Sequence, residues 1–185
     1  VRNALTLHRL HVQVREQNLA LEQRVVERTS DLEDARLELL DRLAVAAEFR
    51  DDTTGQHTLR VARMASELAQ RLGYQRDRLD LFARAAALHD VGKIGVADQI
   101  LLKHGRLGDA ERDAMRAHTV IGARILSGSR FETLQLAADI AMTHHERWDG
   151  NGYPRGLANH AIPIGGRIVA VADVFDALVH ERPYK

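Results

Sequence analysis

Along residues 3–50 the apolar positions are sparse and regularly spaced. Leu5, Val12, Leu19 and Val26 recur every seven residues, and Leu32, Leu39 and Ala46 resume the interval after a six-residue step. A seven-residue repeat with polar residues between its members predicts a helix with a coiled-coil seam, and the six-residue step marks a phase discontinuity. Ser30, followed three residues later by Glu33, fits a capping box that would split the stretch in two. The alternative is one long solvated helix with Ser30 merely exposed. Either way the segment is too polar to fold alone and calls for a partner helix, most simply its own copy in a homodimer.

From Thr53 onward the apolar residues thicken and the helical period becomes that of a globular domain. Val61, Met64, Ala65, Leu68 and Leu72 make one face of a helix that Gly73 can close. Asp77 is expected to cap the next helix, whose Leu81, Ala85 and Leu88 lead into His89 and Asp90. Segments 109–118, 119–128 and 131–145 read as three more helices. A Gly-rich stretch, 146–166, interrupts before a final apolar helix from Arg167 to about Val179. All three prolines, Pro154, Pro163 and Pro183, lie in the last fifth of the chain, and aromatic content is only 4%. Both features favour helix over sheet, so the expected fold is all-α: a helical bundle preceded by a long N-terminal helix.

Composition narrows the function classes. The 185 residues carry 26 Lys+Arg against 26 Asp+Glu, which leaves no electrostatic footprint for a nucleic-acid polymer. With 45% hydrophobic residues the chain is not disordered. The absence of cysteine excludes disulfides, thiolate metal sites and a cysteine nucleophile, and is compatible with a cytoplasmic setting. No apolar run approaches the roughly 18 residues of a membrane span, and no charged-then-apolar leader opens the chain, so no membrane association is expected. Val1-Arg2-Asn3-Ala4-Leu5 reads as the middle of something longer, and the chain is expected to be a fragment.

Five of the ten histidines stand out. His89 is followed at once by Asp90 at the end of an apolar helix, and His144 and His145 adjoin at the end of Ile140-Ala141-Met142. His57 and His118 lie near the ends of other predicted helices. Asp173 is the most telling residue, because it sits inside the apolar run 168–175. An ionised carboxylate there costs several kcal/mol unless it is paired or bound to a metal. Imidazoles and carboxylates delivered by several helices are the materials of a bundle-embedded metal site. Mixed nitrogen and oxygen ligands suit iron, manganese, zinc or nickel better than calcium, and two adjacent pairs supply more ligands than one ion needs. Asp90 can bridge two ions. His8, His11, His104, His160 and His180 have no acidic or histidine neighbour in an apolar context and are read as non-ligands.

After the second pair the chain continues His144-His145-Glu146-Arg147-Trp148-Asp149-Gly150-Asn151-Gly152-Tyr153-Pro154. Here the sequence resembles the HD-GYP phosphodiesterases, cyclic di-GMP hydrolases of bacterial signalling. The pattern HHExxDGxGYP is matched at every fixed position, and His89-Asp90-Val91-Gly92-Lys93 matches HDxGK. The resemblance covers about residues 45–185. It implies a catalytic domain over 51–185 whose two divalent ions, iron or manganese ahead of zinc or nickel, are held by His57, His89, Asp90, His118, His144, His145 and Asp173. It also implies that Lys93 contacts the scissile phosphate, that Tyr153 lies in a substrate-lining loop, and that Arg182 and Lys185 bind phosphate. Gly150 and Gly152 have a physical reason of their own, since a tight turn beside a ligand tolerates positive φ most cheaply at glycine.

Two departures from the family stand out. Members that hold three metals have a Glu four residues before the first ligand His, where this chain has Thr53. Ala97 and His104 replace residues usual in the loops after HDxGK. Residues 21–29 also look like the linker between a receiver domain and an HD-GYP domain in response regulators, which would make 1–50 a helical linker. The resulting expectation is hydrolysis of cyclic di-GMP to the linear dinucleotide, with Asp90 and Lys93 as the catalytic pair. Two rivals stay open: an HD-type phosphohydrolase acting on another nucleotide, and a regulatory module that binds cyclic di-GMP or recruits a partner such as a diguanylate cyclase through the GYP loop.

Overall fold

The computed structural model describes residues 2–50 and 56–180, all helices and connecting loops. The chain divides into two units, residues 1–40 and 41–185.

Helix α1, Arg2–Glu48, is continuous. No capping box forms at Ser30, because a six-residue step shifts the apolar stripe without breaking backbone hydrogen bonds, and the Thr29 hydroxyl folds back onto the Val25 carbonyl at 2.7 Å. Among the described residues of the first unit the stripe is exposed: Leu19 is 54% exposed and Val26 69%. The last turns of α1 behave differently. Ala44 and Ala47 are buried, and the Glu48 carboxylate, also buried, accepts the Thr58 backbone N–H.

The second unit continues with α2, Gln56–Arg71, and α3, Arg76–Ala87, followed by a 3-10 turn over Val91–Gly95. Then come α4, Asp98–Leu101; α5, Asp109–Arg116; α6, His118–Leu126; α7, Glu132–Thr143; and α8, Ile164–Val179. Alanines on the facing sides of α2, α3 and α7 let these helices approach closely around Val61, Phe82, Leu88, Ile140 and Val169. Several local expectations need correction. The N-cap of α3 is Gln75, leaving Asp77 in the first turn, where its charge still favours the helix N-terminus. Helix α8 begins at Ile164 because Pro163, with its fixed φ, serves as the N-cap. Leu72 is 61% exposed, and the buried face of α2 runs instead through Val61, Ala62, Ala65 and Ala69.

Two devices hold the 3-10 turn in place. The Arg50 guanidinium donates to the carbonyls of Lys93, Ile94 and Val96 and so ties together the C-terminal end of the short helix. On the other side Gly92 lies flat against α6. A Cβ there would sit 1.9 Å from the His118 carbonyl oxygen and 2.4 Å from the Gly122 nitrogen. Both obstacles are backbone, so Gly92→Ala is expected to cost at least the upper end of the about 1–3 kcal/mol typical of overpacking. Thermal unfolding of the metal-free variant checks this; an unchanged midpoint would contradict the packing described.

Candidate metal centre

Five helices and the 3-10 turn deliver the chemistry. His57 lies in the first turn of α2, His89 and Asp90 lead from α3 into the 3-10 turn, and His118 opens α6. His144 caps α7 with His145 next to it, and Asp173 comes from α8. Two groups form whose ligand atoms all lie within 4.8 Å of one another: Asp90, His118, His144 and His145; and His57, His89 and Asp90. Asp90 belongs to both. Asp173 joins through His57, its Oδ1 3.4 Å from Nε2. The seven residues singled out in the sequence are thus brought to one place. Lys93 is beside them, its Nζ 2.8 Å from Asp90 Oδ2. The Tyr153 ring stacks on His145 at 4.7 Å, and the Arg116 guanidinium stands 5.1 Å from the same ring. Thr53, Arg182 and Lys185 lie outside the described residues.

Hydrogen bonds fix how the rings are turned. The Nδ1 atoms of His89, His118 and His144 face the carbonyls of Ala86, Met115 and Ile140 at 2.9, 2.7 and 3.1 Å. A carbonyl can only accept, so each Nδ1 carries a proton, which leaves Nε2 as the atom of each ring able to present a lone pair to a cation. These lone pairs converge on an anion: His118 Nε2 and His144 Nε2 lie 3.3 and 3.5 Å from Asp90 Oδ1 and 3.4 Å from each other. His57 Nε2, His89 Nε2 and Asp90 Oδ1 are buried with no hydrogen-bond partner. Buried acceptors facing one another repel unless a cation lies between them, so the donor set fits divalent ions.

The titration behaviour follows from the same geometry. Burial alone would depress His89, but the Asp90 carboxylate overrides it and lifts His89 to about 9. Asp90 is held well below the carboxylate range, with Lys93 and His89 outweighing burial. Burial, reinforced by His144, pushes His145 down to about 2, keeping it neutral. Burial and the Asp90 charge push the Tyr153 phenol upward, so it remains a hydrogen-bond donor.

Some residues of the site were not found from sequence. Asp176, three residues beyond Asp173 and hence on the same face of α8, is 1% exposed and receives hydrogen bonds from His57 and Arg60. These outweigh burial and bring Asp176 down to about 2. A carboxylate in an apolar helix is costly unless it is paired, and Asp176 is buried more deeply than Asp173, which the same signal had picked out. His180, read as a non-ligand, also meets this carboxylate, its Nδ1 3.1 Å from Oδ1. Buried Glu146 closes the Gly-rich loop by accepting the N–H groups of Arg155 and Leu157 at 2.7 and 2.8 Å. In that loop Gly150 has the expected positive φ, +76°. Gly152 does not; its restriction is steric, because a Cβ would lie 2.3 Å from the Arg147 nitrogen.

Comparison with known proteins agrees with this architecture. The HD-domain family model matches residues 38–185. The chain is 45% identical over 183 residues to the cyclic di-GMP phosphodiesterase response regulator RpfG of Xanthomonas campestris pv. campestris, covering 99% of this chain and 48% of that one. It is 50% identical over 165 residues to a cyclic di-GMP phosphodiesterase of Thermotoga maritima, covering 89% of this chain and 45% of that one. It is 46% identical over 155 residues to 3'3'-cGAMP-specific phosphodiesterase 2 of Vibrio cholerae, covering 84% of this chain and 30% of that one. The chain therefore spans about half the length, or less, of these relatives. The helices, the His-Asp pair between α3 and the 3-10 turn, and the match across the whole second unit lead to one assignment: the chain belongs to the HD-domain family.

Proposed function

We propose that this chain is the catalytic part of a metal-dependent phosphodiesterase that opens cyclic di-GMP to the linear dinucleotide pGpG. The observation that supports the reading is the convergence of His118 Nε2 and His144 Nε2 on Asp90, a carboxylate that lies in both ligand groups and would be held in common by two divalent ions. The ligands would be His57, His89, Asp90, His118, His144, His145 and Asp173, with iron or manganese as the favoured metals. Divalent ions bound there would supply Lewis-acid activation of water and neutralise phosphate charge.

The chain's own residues do the rest. Lys93, held beside Asp90, stabilises charge on the attacked phosphate or hands a proton to the departing 3′ oxygen. Tyr153, a neutral phenol stacked on His145, forms the wall against which a substrate is oriented. Arg182 and Lys185 would contribute phosphate contacts. Thr53 offers only a neutral hydroxyl where a third metal ion would need an anionic ligand, so the product is expected to stop at the linear dinucleotide. Chromatography of products from cyclic di-GMP and from 3'3'-cGAMP tests the reading. The Vibrio relative's name makes the second substrate the specific competitor. Preferential turnover of cyclic di-GMP with accumulating pGpG supports the proposal, and exclusive turnover of 3'3'-cGAMP overturns its substrate assignment.

The proposal extends to assembly. Residues 1–50 would link the catalytic domain, 51–185, to a receiver domain, in keeping with the response-regulator relative. Their uncovered apolar stripe would pair with a second copy, and the GYP loop offers a surface for a diguanylate cyclase. The cysteine-free composition suits a cytoplasmic setting, and no described helix is long and apolar enough to cross a membrane. Light scattering on the whole chain should give a dimer at tens of micromolar, as expected for a weak helical seam. A monomer at that concentration would reject the pairing.

A further inference from the structure

The histidines of the metal centre are not oriented alike. His89, His118 and His144 direct Nδ1 to carbonyls three or four residues back in their own segment, so their tautomers are built into the local backbone. His57 Nδ1 instead meets a side chain 119 residues away, lying 2.7 Å from Asp176 Oδ2. An ionised carboxylate only accepts, so His57 carries its proton on Nδ1 and turns the Nε2 lone pair inward. That Nε2 is buried, has no hydrogen-bond partner, and belongs to the group with His89 and Asp90.

Asp176 is itself fixed from two further directions. Arg60 approaches in a fork, Nε at 2.6 Å from Oδ1 and a terminal nitrogen at 2.9 Å from Oδ2. His180 Nδ1 lies 3.1 Å from Oδ1. The carboxylate is therefore immobile and anionic, and its negative charge behind the imidazole strengthens Nε2 as a donor.

We propose that Asp176 is a positioning residue that selectively controls cation occupancy at the position formed by His57, His89 and Asp90, leaving the one formed by Asp90, His118, His144 and His145 unaffected. The proposal rests on the metal-centre reading above. It follows from the asymmetry: substitution of Asp176 frees the tautomer of one ligand in the first group and of none in the second.

The test is a titration of the metal-free whole chain with Mn2+ or Co2+, following stoichiometry and stepwise affinity, with thermal unfolding of the metal-free protein measured alongside. Asp176→Asn should weaken one of two binding steps by about 10–100-fold and leave the other within a few fold. Arg60→Met removes the ion pair between α2 and α8 but keeps the Asp176–His57 bond. It should lower the unfolding midpoint while both binding steps persist. A role confined to helix packing would make the two variants alike in metal binding. If Asp176→Asn does not fold alone, the double variant Arg60→Met/Asp176→Asn, which leaves no buried charge of this pair unmatched, is titrated in its place. Two undiminished steps, or equal weakening of both, would overturn the inference. Failure of the unsubstituted chain to bind any divalent ion would instead overturn the metal-centre reading itself.

Discussion

Replacing Asp90 with alanine is expected to empty the protein of divalent ions and abolish hydrolysis while its circular dichroism stays helical. Asp90 is the one carboxylate common to both ligand groups, and the ring nitrogens of His89, His118 and His144 lie 3.3–3.5 Å from its oxygens. Without it, each position loses a ligand and the centre loses the anion that offsets the incoming positive charge. The loss of affinity should exceed the about 10–100-fold that follows removal of an outer-shell partner. The helices should survive, because Asp90 makes no side-chain cap bond to the 3-10 turn it precedes. Elemental analysis checks the outcome, and a variant retaining its full metal complement would remove Asp90 from the ligand set.

Lys93→Ala should behave in the opposite way, keeping its metals and losing turnover. The ammonium has three donors and no lone pair, so it cannot ligate a cation. Its spacing of three residues from Asp90 on the 3-10 turn places Nζ on the carboxylate's outer oxygen. An incoming cation competes with that ammonium for Asp90, so its removal should leave metal affinity unchanged or tighter. The ammonium is then available to the phosphate, whose charge grows as the transition state forms. Loss of such a contact typically lowers kcat by about 10²–10³. Metal titration and steady-state kinetics on one preparation separate the two effects; near-normal kcat would exclude Lys93 from the mechanism.

The helical periods of α2, α3 and α5 to α8 were legible because apolar residues at 3.6-residue spacing bury one face, and element ends were missed where caps depart from the usual residue types, as at Gln75 and Pro163. The clustering of the candidate ligands was legible because histidines and carboxylates in apolar surroundings are costly to bury unless a cation or a polar partner offsets them. Local sequence cannot show pairings across the bundle. Nothing near Asp176 or Arg60 announces that α2 and α8 meet, although the apolar context of Asp176 matches that of Asp173. Gly92 illustrates the same limit, since its motif position was recognised while its cause, the carbonyl of His118 pressed against it, exists only in the folded chain.

If cations shared through Asp90 drive cleavage of one phosphodiester bond, turnover must follow metal content. The decisive measurement is product chromatography on cyclic di-GMP with the chelator-stripped protein before and after measured additions of Mn2+ or Fe2+. The stripped protein should give no product, and formation of pGpG should rise with metal content to a plateau near two ions per chain. Undiminished pGpG formation by protein shown by elemental analysis to be free of metal would contradict this mechanism.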